Sequence, residues 1–187
     1  MIVVVAGGIG SGKSTVMNIL NGLGASVVYA DAVNRELLND NNYIQLIDSN
    51  FNGVVINGKI NKKALRNLIF NDENARLKLN SIAHPLIFDL IDKKTRSLGL
   101  VFVEIPLFAE CSKYIKYDKL CAVKAPIEDR IRRISSRDNI SFQDAKKIIE
   151  SQIKEEKIFE NADFIIYNDT DFESLQKQVL MVYDNVR

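Results

Sequence analysis

A glycine-rich segment near the start of the chain has the residue types and spacing that bind a phosphate group. Residues 7–15 read Gly-Gly-Ile-Gly-Ser-Gly-Lys-Ser-Thr and match the pattern G-x-x-x-x-G-K-[ST]. Backbone N–H groups can turn towards a phosphate where no Cβ blocks their approach, and a helix that begins there adds the positive end of its dipole. We therefore predict a nucleotide-phosphate loop formed by Gly8, Gly10, Ser11, Gly12, Lys13, Ser14 and Thr15.

Two side chains of this loop could take part in catalysis. Lys13 can reach the β- and γ-phosphates of a nucleotide, and the Ser14 hydroxyl can bind Mg²⁺. The alternative is a glycine-rich turn without a ligand, but a strand pattern before it and a helix pattern after it favour binding. Phosphate binding alone does not separate a kinase from a switch or a motor. The D-x-x-G and N-K-x-D motifs of translational GTPases are absent, which favours a small-molecule kinase.

Two carboxylates lie at the carboxyl ends of predicted strands. Asp31 comes directly after the strand pattern at 26–30, at the edge where ligands of open α/β sheets bind. It could accept the proton of an acceptor hydroxyl as a general base, or it could only cap the next helix, and the sequence leaves both open. Glu104 ends the strand pattern at 100–105, where P-loop enzymes often hold an acid that orients Mg²⁺. Its alternative role is a buried or capping carboxylate.

Several arginines lie on one predicted helix that begins near Pro126. Arg130, Arg133 and Arg137 share a face by their spacing. Arg133 and Arg137 could close over a triphosphate and stabilise the transferring group, and the alternative is a solvated charged face. The only histidine, His84, precedes Pro85 and is expected at a helix start, with its ring in a structural role.

The order of strand and helix patterns predicts a P-loop-type α/β fold with a parallel sheet between helices. The strand patterns lie at 2–6, 26–30, 100–105, 120–124 and 164–167. Helix patterns cover 13–21, 62–71, 74–83, 85–97 and 141–159, where Ser141 and Asp144 are spaced like a capping box. Asp171 is expected to cap a last helix whose apolar stripe contains Phe172, Leu175, Val179, Val182 and Val186. Residues 34–97 look like a helical insertion between two strands, with one hairpin turn at Asn57-Gly58.

Composition excludes several classes of protein. The chain has 187 residues, 47% hydrophobic and 26% charged, which fits a folded domain and not a disordered one. Its formal net charge is +1, so it has no overall attraction for nucleic acid or an anionic membrane. No apolar run is long enough for a transmembrane helix or a signal peptide, and we expect a cytoplasmic protein. Cys111 and Cys121 are then expected to be free thiols.

Taken together, these residues resemble one family, the dephospho-CoA kinases, which catalyse the last step of coenzyme A biosynthesis. The likeness runs over nearly the whole chain and is carried by the loop at 7–15, Ala30-Asp31, Ile82-x-His84-Pro85, Glu104-Ile105-Pro106-Leu107-Phe108-x-Glu110, Ala125-Pro126, Arg133, Arg137-Asp138, Gln152 and Ile166-x-Asn168. The resemblance implies a nucleotide-binding core at about 1–33, 98–125 and 161–187, an acceptor-binding helical insertion at about 34–97, and a helical lid at about 126–160.

The resemblance also implies an activity and residue roles. The γ-phosphoryl group of ATP would pass to the ribose 3′-hydroxyl of dephospho-CoA, with Mg²⁺ as cofactor and these two small molecules as the substrates. Asp31 would be the base, Arg137 the lid arginine, and Asn168 a neighbour of the adenine. The expected acceptor contacts are Asp31, Arg35, His84, Pro106 and Leu107, and the expected metal ligands are Ser14 and Glu104.

The chain departs from the family pattern at several positions. The family usually has Asp at Glu104, Gln at Arg130, Arg at Lys62 and Gly at Asp169. These departures leave the acceptor pocket less defined than the ATP site. Another P-loop kinase, for a nucleotide or another small alcohol, and a nucleotide-gated regulatory module remain the alternatives.

Overall fold

The computed structural model describes residues 1–152 and 156–187. They form two compact units, one of residues 1–29 with 95–187 and the other of residues 30–94. The strands are β1 (Ile2–Ala6), β2 (Ser26–Tyr29), β3 (Val55–Ile56), β4 (Lys59–Ile60), β5 (Val101–Glu104), β6 (Lys119–Lys124) and β7 (Phe164–Tyr167). The helices are α1 (Lys13–Gly22), α2 (Ala30–Leu37), α3 (Asn41–Asn50), α4 (Lys62–Asn71), α5 (Glu73–Thr95), α6 (Phe108–Cys111), α7 (Ile127–Asp138), α8 (Phe142–Glu150), α9 (Glu156–Glu160) and α10 (Phe172–Val186).

The first unit contains the predicted parallel sheet, with strand order β2-β5-β1-β6-β7. The central strand β1 pairs with β5 on one side and β6 on the other, and both pairs are parallel. Residues 3–6 of β1 are fully buried, as expected for a strand covered on both faces. All five predicted strands are confirmed, so the carboxyl ends of β1, β5 and β6 meet at one edge.

Helices α1 and α10 pack on one face of this sheet. Their buried side chains join Val3 and Val5 in a single apolar cluster: Val16, Met17, Ile19, Leu20, Leu175, Val179, Val182 and Val186. Asp171 caps α10 as predicted, because its carboxylate accepts the Ser174 N–H at 2.8 Å. Phe172 is the exception in the predicted stripe, since it is 61% exposed. A helical side chain lies over the turn before it, and the first residue of a helix has no such turn.

The segment predicted as a long helix at 141–159 is interrupted. Ser141 caps α8 as the sequence indicates, accepting the Asp144 N–H at 3.1 Å. However, α8 ends at Glu150, and the Ser151 hydroxyl donates to the carbonyl of Ile148 at 2.7 Å. The part of the prediction at 153–155 lies outside the described residues. Across the described ranges, no helix has the length and apolar character that crossing a membrane requires.

The second unit is helical, with one small hairpin. Strands β3 and β4 pair antiparallel, and Asn57 and Gly58 between them have φ of 52° and 72°, which confirms the predicted turn. The two helices expected at 74–83 and 85–97 are one helix, α5, with Pro85 inside it. Pro85 and Ser81 are both exposed, so water can bond the Ser81 carbonyl that proline leaves without a donor.

Candidate active site

The loop of residues 7–12 leaves the buried end of β1 and enters α1. A Cβ on Gly7 would lie 2.4 Å from the carbonyl oxygen of Val123 on β6, so only glycine fits there. Gly12, just before α1, has φ of 100°, a left-handed conformation that favours glycine. The sequence therefore folds as the phosphate-loop pattern predicts, with the positive N-terminus of α1 at its end.

The Lys13 side chain lies across this loop. Its Nζ donates to the carbonyl oxygens of Gly7 at 2.9 Å and Gly8 at 3.0 Å. Ser14 is exposed in the first turn of α1, so a metal ion can reach its hydroxyl. Ser11 is 1% exposed, and its hydroxyl oxygen has no hydrogen-bond partner among the residues that the structure describes. The loop thus combines the Lys13 ammonium with the exposed Ser14 hydroxyl at the end of β1.

Asn168, just after β7, is packed against the loop. Its Nδ2 donates to the carbonyl of Ser11 at 2.8 Å, and its own N–H donates to the carbonyl of Lys124 at 2.7 Å. A Cβ on Gly12 would lie 2.1 Å from this Nδ2. Asn168 is 9% exposed. Its side chain therefore supports the loop directly, and its contact with adenine stays a prediction.

Two arginines of α7 reach the loop from the predicted common face. Arg133 Nη1 donates to the carbonyl of Gly10 at 3.1 Å, and Nη2 donates to the carbonyl of Asn168 at 3.3 Å. Arg130 is only 6% exposed, and its Nε donates to the carbonyl of Ile9 at 2.8 Å. A solvated charged face is therefore the wrong interpretation for Arg130. The Ile9 N–H donates in turn to Oε1 of Gln152 at 2.9 Å.

Arg137 is bonded to its neighbour and not to the loop. Its Nε and Nη2 donate to the two carboxylate oxygens of Asp138, each at 2.7 Å. The hydrogen bonds raise the pKa of Arg137 and lower the pKa of Asp138. Both side chains are exposed, so an anionic ligand can reach the arginine.

Glu104 lies at the carboxyl end of β5, the strand next to β1, which leads into the loop. It is the last residue of β5, in register with Val5 on β1 and with Tyr29 on β2. Burial, and then the Glu104 carboxylate, raise the pKa of Tyr29, which indicates that the two side chains are close. A carboxylate here and the Ser14 hydroxyl are oxygen donors of the kind that Mg²⁺ prefers when phosphates and water complete its shell.

The segment after Glu104 has an unusual backbone. Leu107 has φ of 52° and is 47% exposed, while its carbonyl accepts the Glu110 N–H at 2.8 Å. A left-handed leucine is uncommon, and such positions often occur in functional loops. The acceptor contacts of Pro106 and Leu107 stay a prediction.

Three predicted site residues belong to the second unit. Asp31 is the second residue of α2 and not the cap before it, since β2 runs straight into the helix at Ala30. Within residues 30–94 its exposed carboxylate has no hydrogen bond or ion pair, and Arg35 follows one turn later. His84 lies inside α5 and not at a helix start, and its ring meets that of Phe88 edge to face with centroids 6.3 Å apart.

Long-range contacts of the loop are what sequence reasoning missed. The bond from Gln152 to Ile9 joins residues 143 positions apart, and the bond from Arg130 joins residues 121 positions apart. Gln152 entered the sequence analysis only as part of the family likeness, and no local pattern assigns it a partner.

Comparison with known proteins identifies the family. The family model described as dephospho-CoA kinase matches residues 1–174. The dephospho-CoA kinase of Coxiella burnetii is 36% identical over 183 residues, covering 95% of this chain and 92% of the relative. That of Fusobacterium nucleatum is 34% identical over 185 residues, with 96% and 95% covered.

Solved structures agree with this assignment. A structure from Thermus thermophilus has a TM-score of 0.85 at 28% identity, covering 100% of this chain and 97% of the other. Dephospho-CoA kinase from Campylobacter jejuni has a TM-score of 0.71 at 28% identity, with 99% and 96% covered. Shikimate kinase from Acinetobacter baumannii, at 13% identity and a TM-score of 0.56, shares the P-loop kinase fold alone. The chain belongs to the dephospho-CoA kinase family.

Proposed function

We propose that this protein transfers the γ-phosphoryl group of ATP to the ribose 3′-hydroxyl of dephospho-CoA, giving coenzyme A and ADP. The observation that carries the proposal is the loop of residues 7–15, with the Lys13 ammonium bonded across it, in a chain that matches the family over residues 1–174. A loop of this sequence and shape binds phosphate, and membership of the family identifies dephospho-CoA as the acceptor.

The loop and its cations bind and orient the triphosphate in this proposal. Gly8, Gly10 and Ser11–Thr15 contact the phosphates, and Lys13 exchanges loop carbonyls for phosphate oxygens. Ser14 and Glu104 would hold Mg²⁺, which supplies positive charge to the β- and γ-phosphates. Glu104 is one methylene longer than the Asp usual in the family, so its carboxylate reaches further from the β5 backbone. Arg133 and Asn168 keep the loop in shape beside the nucleotide.

Asp31 acts as the general base on the acceptor hydroxyl. Its place directly after β2, and a carboxylate without a partner inside its own unit, support this role. Arg137 stabilises charge on the transferring group by exchanging Asp138 for phosphate oxygens. We also assign acceptor contacts to Arg35, His84, Pro106 and Leu107, and adenine contact to Asn168. The cytoplasmic location stays a prediction.

An acceptor panel tests the proposed reaction. ADP release is measured with ATP and Mg²⁺ and either dephospho-CoA or one of several nucleoside monophosphates. We expect turnover with dephospho-CoA and product that carries phosphate on the ribose 3′-oxygen. Faster turnover with a nucleoside monophosphate, or ADP release that ignores every acceptor, would overturn the assignment.

Asp31→Asn tests the base. Because the amide cannot accept the hydroxyl proton, kcat should fall by about 10²-fold or more while the affinity for ATP stays unchanged. The matched control is Asp48→Asn, which changes another exposed aspartate of the same unit, on α3, and should keep wild-type turnover. Unchanged kcat in Asp31→Asn would remove the base assignment without affecting the ATP site.

A further inference from the structure

The peptide groups of Ile9 are bonded on both sides by residues outside the loop. The Ile9 carbonyl accepts from Arg130 Nε at 2.8 Å, and the Ile9 N–H donates to Gln152 Oε1 at 2.9 Å. Arg130 lies on α7, and Gln152 lies two residues after α8. One peptide segment of the loop is therefore held by the α7–α8 region.

The Ile9 side chain is anchored in the same place. It packs against a small apolar cluster centred on Ile134, Ala145 and Ile149, which are 0%, 0% and 8% exposed. Ile9 is the one large apolar side chain of the loop at 7–15. Its backbone and its side chain thus both connect the loop to α7 and α8.

The backbone of α7 also touches the loop. A Cβ on Gly10 would lie 3.0 Å from the carbonyl oxygen of Arg130 and 3.2 Å from its Cα. Neighbouring loop carbonyls are bonded in the same manner, since Gly10 accepts from Arg133 and Ser11 accepts from Asn168. Donors outside the loop therefore hold three successive carbonyls, those of residues 9, 10 and 11.

We propose that Arg130 is a positioning residue for ATP: it holds the Ile9 carbonyl away from the phosphates, while Gln152 fixes the N–H of the same residue. A carbonyl turned into the loop would place partial negative charge against a phosphate. Because the C=O and the N–H of one trans peptide group point in opposite directions, holding the Ile9 carbonyl outward leaves the Gly10 N–H facing the phosphates. Arg130 is suited to this because a buried guanidinium needs hydrogen bonds, and the Ile9 carbonyl provides one.

The experiment compares three single variants. Arg130→Met keeps the length of the side chain and removes the donor. Arg130→Gln introduces glutamine, the residue usual in the family at this position, and so provides a shorter donor. The control, Arg132→Met, removes an arginine of the same helix whose side chain is 69% exposed and bonded to Asp129. ATP binding is measured by calorimetry without acceptor, and KM and kcat are measured for each substrate.

We expect Arg130→Met to lower ATP affinity and kcat/KM for ATP about tenfold, as for one lost hydrogen bond to a charged group. KM for dephospho-CoA should stay unchanged, and Arg130→Gln should recover to within about threefold of wild type, as one neutral hydrogen bond would allow. Arg132→Met should bind ATP like wild type. Wild-type ATP affinity in Arg130→Met, or a change confined to the acceptor KM, would overturn the proposal.

A second variant keeps the test independent of folding. Gln152→Met removes the acceptor of the Ile9 N–H and should also weaken ATP binding. The double variant with Arg130→Met should lose ATP affinity by a smaller factor than the product of the two single-variant factors. Independent effects would contradict a shared action on Ile9. Circular dichroism melting separates loss of fold from loss of ATP affinity, and if Arg130→Met does not fold, wild-type affinity in Gln152→Met overturns the proposal. Because ATP binding is measured without acceptor, failure here is distinguishable from failure of the proposed reaction on which it rests.

Discussion

Replacing Gly12 by alanine should destabilise the protein through two separate effects. Gly12 has φ of 100° and ψ of 20°, so any Cβ meets left-handed strain. The new Cβ would also lie 2.1 Å from Nδ2 of Asn168. Because this distance is far below contact, the amide must move away, and its bond to the Ser11 carbonyl is lost.

The magnitude follows from these two effects. Left-handed strain costs about 1–2 kcal/mol for a residue with a Cβ. Loss of the amide bond leaves Nδ2 of the buried Asn168 without this acceptor and leaves the Ser11 carbonyl with only the longer bond from Arg133, at about 1–3 kcal/mol. Together they predict a loss of about 2–5 kcal/mol in the free energy of unfolding, a large part of the ~5–15 kcal/mol typical of a domain.

Gly24→Ala is the matched control for the strain alone. Gly24 has φ of +84° and no heavy atom within 4 Å of its would-be Cβ. This variant should therefore lose only the strain of about 1–2 kcal/mol. The difference between the two variants isolates the collision with Asn168.

A double-mutant cycle with Asn168→Ala tests that collision. In the double variant the amide is already absent, so its bond is lost once and not twice. The combined loss should be smaller than the sum of the two single losses by about 1–3 kcal/mol, the value of that one bond. Urea unfolding followed by far-ultraviolet circular dichroism suits the assay, because the chain has no tryptophan. Additive losses, or a Gly12→Ala variant no less stable than Gly24→Ala, would refute the packing of Asn168 on the loop.

Two further predictions concern other parts of the first unit. Burial raises the pKa of both thiols, Cys111 and Cys121, from 9.0 to about 12. At about pH 8 the fraction of thiolate is therefore about 1000-fold smaller in the folded protein than at an ordinary thiol pKa. Because only the thiolate reacts, a thiol reagent should modify both cysteines only after urea is added. Equal rates in the folded and unfolded protein would contradict this. The Lys119 ammonium and the Leu120 N–H lower the pKa of Asp163 below its ordinary value. Asp163 therefore contributes stability that is present above its unfolded pKa of about 3.9. This contribution is lost as the pH falls through the lower pKa of the folded protein. Wild type should exceed Asp163→Asn by at most about 1 kcal/mol near pH 7, with the gap closing in acid, and a gap that widens in acid would show the opposite linkage.

Local patterns predicted the parts of the fold that depend on neighbouring residues. The five strands, the loop before α1, the Ser141 and Asp171 caps and the turn at Asn57-Gly58 all have their signal within a few residues. The same local reasoning was wrong at Pro85, because a proline at a helix start and a proline on the exposed side of a long helix have the same sequence signal. Packing on the rest of the unit decides between them.

The site shows the same division. Spacing identified the loop and the common face of Arg130 and Arg133, and both reach the loop. It did not show which carbonyl each arginine binds, nor that Asn168 supports Ser11, because these partners lie more than a hundred positions apart. Such pairs are set by the order of strands in the sheet, which brings β6, β7 and α7 beside the end of β1.

Arg133 and Arg137 have different hydrogen-bond partners, and these partners favour different roles in the proposed reaction. Arg133 donates to carbonyl oxygens of Gly10, Ser11 and Asn168, which are neutral acceptors, so its charge adds to the positive field of the loop before any ligand binds. Arg137 is bonded through two nitrogens to the Asp138 carboxylate, so its charge is balanced until that pair is broken. Charge-assisted pairs of this geometry are strong, and a phosphate must outcompete the carboxylate to recruit Arg137. A fixed cation suits ground-state binding of ATP, whereas a recruited cation suits a step in which negative charge on the transferring group grows.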